Sequence, residues 1–301
     1  MNSLQPISGA SGRSEPAPVD VDASASPARD EPRLSPLVVG NWKMNGAATA
    51  LTEAAALAGL IARSRGRVQI GLCVSATLVH RLAHALNAAG VMVGGQDCHP
   101  EPDGAFTGDV SAELLADAGA KLVIVGHSER RGAHRETDIV VRSKASAALR
   151  AGLQPLICVG ESHAEHELGS GLDVVRSQVA ASLPHLSAID DPATRIAIAY
   201  EPIWSVGTGV TPTIAQIEEM HQAIRQTLIR RLGEGGRRVR ILYGGSVNPD
   251  NAREILTARE VSGALVGRAS LKAQDFIRVI EAAAQAVSVD RLQSTHRSGR
   301  A

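Results

Sequence analysis

Eight short apolar runs alternate along this chain with longer Ala- and Leu-rich stretches, and that alternation limits the fold more than any other feature. The runs are Leu37–Asn41, Val68–Val74, Val91–Gln96, Lys121–His127, Leu153–Val159, Arg195–Glu201, Val239–Tyr243 and Ser262–Gly267. Stretches of helical spacing lie between them, among them Ala47–Arg63, Thr77–Ala88, Thr137–Ala151, Thr213–Leu232 and Lys272–Ala286. When strands and helices alternate, each strand is reached by a crossover, which lays the strands parallel. Eight such units predict an α/β protein closed into a (β/α)8 barrel, with a doubly wound sheet as the alternative. In the sixth run, Ala197 and Ala199 share a face with Glu201, while Ile196, Ile198 and Tyr200 share the other. Small residues toward the barrel interior and large ones toward the helices fit the crowding among eight strands.

Composition removes several classes of function. Of 301 residues, 44% are hydrophobic, enough for one large core. Lys+Arg and Asp+Glu both number 31, so bulk charge favours neither nucleic acid nor an anionic membrane. Aromatic residues make up 2%, leaving few rings to stack on bases. The three cysteines, Cys73, Cys98 and Cys158, lack CxxC spacing and read as buried thiols of a reducing compartment, hence a cytoplasmic protein. No apolar run approaches the roughly 18 residues of a membrane-spanning helix. Residues 1–34 are rich in Ser, Pro, Ala and acidic residues and read as a disordered tail; residues 35–288 form the barrel, and 289–301 read as a flexible tail. The N-terminal tail lacks the apolar centre of a signal peptide.

In such a barrel, chemistry sits at the C-terminal strand ends. The sixth strand delivers Glu201 there, followed by a loop with a stiff entry (Pro202, Trp204) and a permissive exit (Gly207, Gly209). This is the pattern of a base under a lid, although a strand-end Glu before a Gly-rich loop is also a common structural feature. The first strand places Asn41 and Lys43 on one face at the mouth, where a surface Lys capping a strand is the plain alternative. The fourth delivers His127 just before a helix start, whose positive dipole end favours a neutral ring; a satisfied structural His is the alternative. Glu129 suits either the orientation of Lys43 or a salt bridge with Arg130 or Arg131. Turns after the seventh and eighth strands, Gly244-Gly245-Ser246 and Gly267-Arg268, suit a phosphate held by backbone N–H groups. His163, His166, Glu161, Glu165 and Glu167 follow the fifth strand in a polar segment and read as a solvated loop rather than a metal site. Cys98-His99 has no evident base-orienting partner and is discounted as a nucleophile. Dinucleotide, Walker and zincin motifs are missing from the sequence.

Seven motifs occur in order: Asn41-Trp42-Lys43-Met44-Asn45, Gly104-Ala105-Phe106-Thr107-Gly108, Gly126-His127-Ser128-Glu129-Arg130-Arg131, Tyr200-Glu201-Pro202-Ile203-Trp204, Gly207-Thr208-Gly209, Tyr243-Gly244-Gly245-Ser246-Val247 and Val266-Gly267-Arg268-Ala269-Ser270. In order and spacing they resemble the triosephosphate isomerase family across about residues 36–286. The resemblance implies a TIM barrel and a cofactor-free, metal-free aldose–ketose isomerisation of triose phosphates in glycolysis and gluconeogenesis. It implies that Glu201 is the base and His127 the neutral electrophile. Lys43 and Asn41 would bind substrate and stabilise developing charge. Gly207, Ser246, Gly267 and the backbone at Arg268 would grip the phosphate. It also implies a homodimer, with the Gly104–Asp109 loop reaching the neighbouring subunit.

Three positions depart from the family pattern. Arg268 stands where a second glycine is usual, and a positive φ there would strain it. Its guanidinium suits either an added phosphate contact or a reshaped pocket. Val74-Ser75-Ala76 replaces a Pro-containing turn, and Asp109 replaces a more usual Glu. Two other functions stay open at this level: isomerisation of another short sugar phosphate, such as a tetrulose phosphate, and phosphate binding without catalysis.

Overall fold

The computed structural model describes residues 34–61, 68–185, 191–205 and 211–298, without side chains for 192–193 and 287–298. Eight parallel strands close in sequence order: β1 Leu37–Asn41, β2 Gln69–Cys73, β3 Met92–Gly95, β4 Leu122–Val125, β5 Gln154–Val159, β6 Ala197–Tyr200, β7 Arg240–Tyr243 and β8 Gly263–Val266. The helices are α1 Leu51–Leu60, α2 Ala76–Leu86, α3 Ala112–Asp117, α4 Ser128–Ala133, α5 Asp138–Arg150, α6 His163–Glu167, α7 Gly171–Ser182, α8 Pro192–Arg195, α9 Ile214–Leu232, α10 Ala252–Thr257 and α11 Ala273–Ser298. The closed barrel removes the doubly wound alternative. It also removes both sheet edges, so every central backbone group finds a ladder partner.

Two apolar layers follow from the two faces of each strand. Leu37, Val39, Leu122, Ile124, Leu156, Ala197, Ala199, Leu242 and Leu265 pack inside the barrel. Val123, Val125, Ile198 and Tyr200 point outward into the layer shared with the helices. The faces expected for β6 are therefore correct. The expectation of a small-residue interior holds for β6, and for Gly71 on β2 and Gly94 on β3, but not for β1 or β4, which point Leu37, Val39, Leu122 and Ile124 inward. The β6 alanines are flanked in register by larger neighbours, Leu156 beside Ala197 and Leu242 beside Ala199. A barrel interior is a packed core, so a small residue on one strand makes room for a large one on the next.

Local signals set the helix boundaries. Thr213 caps α9, and Ser162 caps α6, each through a reciprocal capping box. The last helix, α11, continues past the expected boundary at 288, because residues 289–298 contain neither Gly nor Pro. The tail expected over residues 1–34 falls, apart from Leu34, outside the described residues.

Candidate active site

Glu201 follows the last residue of β6 and is 3% exposed. Its N–H donates to Val159 O at 2.8 Å, which extends the pairing with β5 by one residue and fixes where the side chain emerges. Gly160 lies against this peptide: a Cβ added there would meet the Glu201 carbonyl oxygen at 1.8 Å. Only glycine leaves room for so close an approach.

The Glu201 carboxylate has two partners. Its Oε2 accepts from the Ser128 N–H at 2.9 Å, and its Oε1 lies 2.9 Å from His127 Nε2. His127 caps α4, its Nδ1 accepting the Glu129 N–H at 3.2 Å. That bond assigns the tautomer. A nitrogen that accepts carries no proton, so the proton of the neutral ring sits on Nε2 and points at Glu201.

Lys43 completes the group. Its Nζ meets Glu129 Oε1 at 2.6 Å, and Glu129 Oε2 is 3.7 Å from His127 Nδ1. Burial pushes the Glu129 carboxyl upward, but the hydrogen bond and Coulomb attraction to Lys43 help to hold the group below its ordinary value. Of the two partners open for Glu129, the structure selects Lys43. Arg130 goes instead to Asp97 and Glu136, and Arg131 to Asp138.

Lys43 has a φ of 48°, a left-handed conformation uncommon for a non-glycine residue. Hydrogen bonds hold it there. The Lys43 N–H donates to Asn41 Oδ1 at 2.9 Å, and Gln96 Nε2 donates to the Lys43 carbonyl at 2.9 Å. Gln96 Nε2 also lies 3.3 Å from Asn41 Oδ1 and 3.2 Å from the Cys73 carbonyl. The Trp42 indole N–H donates to Ser270 O at 2.9 Å, drawing the β1 mouth to the β8 turn. A Cβ placed on Gly267 would sit 4.0 Å from Lys43 Cε, so this turn borders the cation.

Asn41, Lys43, His127, Glu129 and Glu201 thus form one connected group, with Gly267 beside it and Ser246 exposed at the β7 mouth. Gly207 and the rest of the lid segment 206–210 lie outside the described residues. Arg268 is exposed and is not among the described non-glycine residues of positive φ, so the anticipated strain does not arise. Its carbonyl accepts from the Leu271 N–H at 3.1 Å, and among the described residues its guanidinium has no hydrogen-bond or ion-pair partner.

Sequence reasoning missed Gln96 and the Ser128 N–H. The first stood at the end of the third apolar run; the second is a backbone group without a side-chain signal. The solvated-loop reading of residues 161–167 is corrected at Glu161, which is 1% exposed. Glu161 Oε1 accepts from Trp204 Nε1 at 2.6 Å and from the Tyr200 hydroxyl at 2.9 Å. Burial raises its pKa above the usual carboxylate range despite those bonds. Cys98 is buried and its thiol is pushed up to about 12 by burial, which agrees with discounting it as a nucleophile.

A buried carboxylate, an imidazole and a lysine converge at the C-terminal mouth of a (β/α)8 barrel, where enzymes of this fold carry their chemistry and where these groups suit proton transfer on a bound substrate. The family model described as triosephosphate isomerase matches residues 36–283. The chain belongs to the triosephosphate isomerase family. It is 53% identical over 247 residues to the triosephosphate isomerase of Caulobacter vibrioides, covering 82% of this chain and 96% of that one. The Afipia carboxidovorans triosephosphate isomerase is 51% identical over 250 residues, covering 83% and 98%. The crystal structure of triosephosphate isomerase from Bartonella henselae superposes with a TM-score of 0.76 at 44% identity, covering 83% of this chain and 99% of that one.

Proposed function

We propose that Glu201 carries the proton in the interconversion of D-glyceraldehyde 3-phosphate and dihydroxyacetone phosphate. The observation behind this assignment is the 2.9 Å approach of Glu201 Oε1 to the donor nitrogen of His127. Base and electrophile therefore meet in one small volume. Glu201 removes a proton from the carbon beside the carbonyl. His127 Nε2–H donates to the carbonyl oxygen as it gains charge, and the Lys43 ammonium stabilises the same charge from the β1 side. The proton of the neighbouring hydroxyl passes by way of His127 to the former carbonyl oxygen, and Glu201 returns its proton to the former carbonyl carbon, so that the C=O and the H–C–OH exchange places. Asn41 and Glu129 orient Lys43. The backbone N–H groups at Ser246, Gly267 and Arg268 hold the phosphate, with Gly207 assigned to the same grip on family resemblance alone.

We place the enzyme in the cytoplasm, in keeping with three buried, unpaired cysteines. Among the described residues no helix is long and apolar enough to cross a membrane. A homodimer is proposed through the Gly104–Asp109 loop. The loop is exposed, and its Phe106 ring leans on His99 at 4.1 Å; Met44, after β1, is a second large apolar side chain left 96% exposed. Sedimentation of the purified chain tests this, and a monomer at working concentration refutes it. For the site, Glu201→Gln with an unchanged circular dichroism spectrum should lower kcat by about 10²–10⁴ in a coupled triose phosphate assay. An unchanged rate removes Glu201 from the mechanism.

A further inference from the structure

His166, on α6, lies flat on the indole of Trp204, with ring centroids 4.0 Å apart and planes 15° apart. Trp204 belongs to the turn Ile203–Ser205, joined to Glu201 through Pro202 alone. At the indole's edge, Nε1 donates to Glu161 Oε1 at 2.6 Å, while the buried Glu161 Oε2 has no partner among the described residues. Trp204 is therefore held by an imidazole on its face and a carboxylate at its edge.

We infer that His166 is a positioning residue for the base: stacked on Trp204, it fixes the turn after Glu201, and taking up a proton tightens that hold. The inference rests on the role proposed for Glu201. A neutral imidazole offers stacking only. An imidazolium adds cation–π attraction to the indole and Coulomb attraction to the Glu161 carboxylate behind it. Imidazole is also the side chain whose charge ordinarily changes near physiological pH.

The groups around His166 leave Glu161 as its principal electrostatic partner. On its own helix, Glu165 is engaged in the Ser162 cap, and Glu167 faces His163 at 3.3 Å. On the neighbouring α7, Asp173 and Arg176 pair with each other at 3.0 Å. Tyr200 approaches from β6 but spends its hydroxyl on Glu161.

The test uses the full chain grown with 5-fluorotryptophan and followed by fluorine NMR. The chain has two tryptophans, Trp42 and Trp204, and W204F assigns the second signal. The Trp204 resonance should move as the pH is lowered in the unsubstituted chain. It should stay fixed in H166F, which keeps a ring on the indole but removes the titrating nitrogens. H166Q gives the same comparison without a ring. In kinetics, H166F should alter the acid side of the kcat/KM profile by about two- to fivefold, and H166A should lower kcat/KM at every pH by loss of the stack. A Trp204 signal that is fixed in the unsubstituted chain, or that moves equally in H166F, overturns the proposal. A responsive signal in a chain that turns over no triose phosphate would support the His166–Trp204 coupling and overturn the reading of Glu201 instead.

Discussion

Replacing Gly160 by Ala tests how strictly the barrel places Glu201, the proposed base. The added Cβ would meet the Glu201 carbonyl oxygen at 1.8 Å, whereas real Cβ contacts essentially never fall under 3.0 Å. The two peptides must therefore separate by at least about 1.2 Å, and the oxygen cannot rotate away because it belongs to backbone. The movement falls on the residue carrying the base. A misplacement of about 1 Å costs on the order of 10²-fold in rate. Overpacking of this kind also costs about 1–3 kcal/mol, so a drop in Tm of several degrees should accompany it. The expected variant is folded by circular dichroism, modestly less thermostable, and reduced in kcat by about two orders of magnitude with a smaller change in KM. The assay is the coupled conversion of glyceraldehyde 3-phosphate at saturation. A folded Gly160→Ala enzyme with kcat within a few-fold of the unsubstituted chain would show that the site tolerates this displacement and refute the reasoning.

Three further outcomes are expected. His221 is fully buried on α9, with Nδ1 near the Glu260 carbonyl at 3.2 Å and Nε2 without a partner among the described residues, and burial lowers its pKa from 6.5 to about 4. The unfolded chain therefore takes up this proton first, so stability should fall by about 3 kcal/mol as pH drops from about 6.5 to 4, and urea melts of His221→Gln should lack that component. Gln96→Ala should lower kcat/KM about tenfold or more, since it strips the donor from the Lys43 carbonyl and from Asn41; an unchanged value would mean the left-handed Lys43 needs no such support. All three thiols are buried and raised by burial, so Ellman's reagent should find none in the native enzyme and three after denaturation; prompt reaction of any one contradicts the described packing.

Much of the site was legible because it lies where a period-two pattern runs out. Asn41, Lys43, His127 and Glu201 each stand at the end of an apolar strand, and strand ends are where a barrel displays side chains. The illegible parts depend on contacts between segments distant in the chain. Glu161 sits in a locally polar stretch, and its burial is decided by Trp204 and Tyr200, 43 and 39 residues away. The φ of Lys43 leaves no trace in composition, because what stabilises it is a glutamine just past the end of another strand. Gly160 reads as an ordinary turn glycine until the neighbouring peptide is in place. Arg268 shows the converse. Its identity stood out from the family pattern, yet the backbone there accepts it without a left-handed conformation.

The bond from the Trp42 indole to the Ser270 carbonyl joins residues 228 positions apart. The partner strands it draws together, β1 and β8, are the first and last of the barrel. During synthesis, Asn41 and Lys43 leave the ribosome early and wait with one flank of β1 unpaired until nearly the whole domain has followed. A nascent chain that already holds Glu201 still lacks the β7 and β8 turns. On the phosphate role proposed for the β7 and β8 turns, its recognition is the last property the growing polypeptide acquires, and a truncated translation product carries Asn41, Lys43, His127 and Glu201 without a completed ring to hold them.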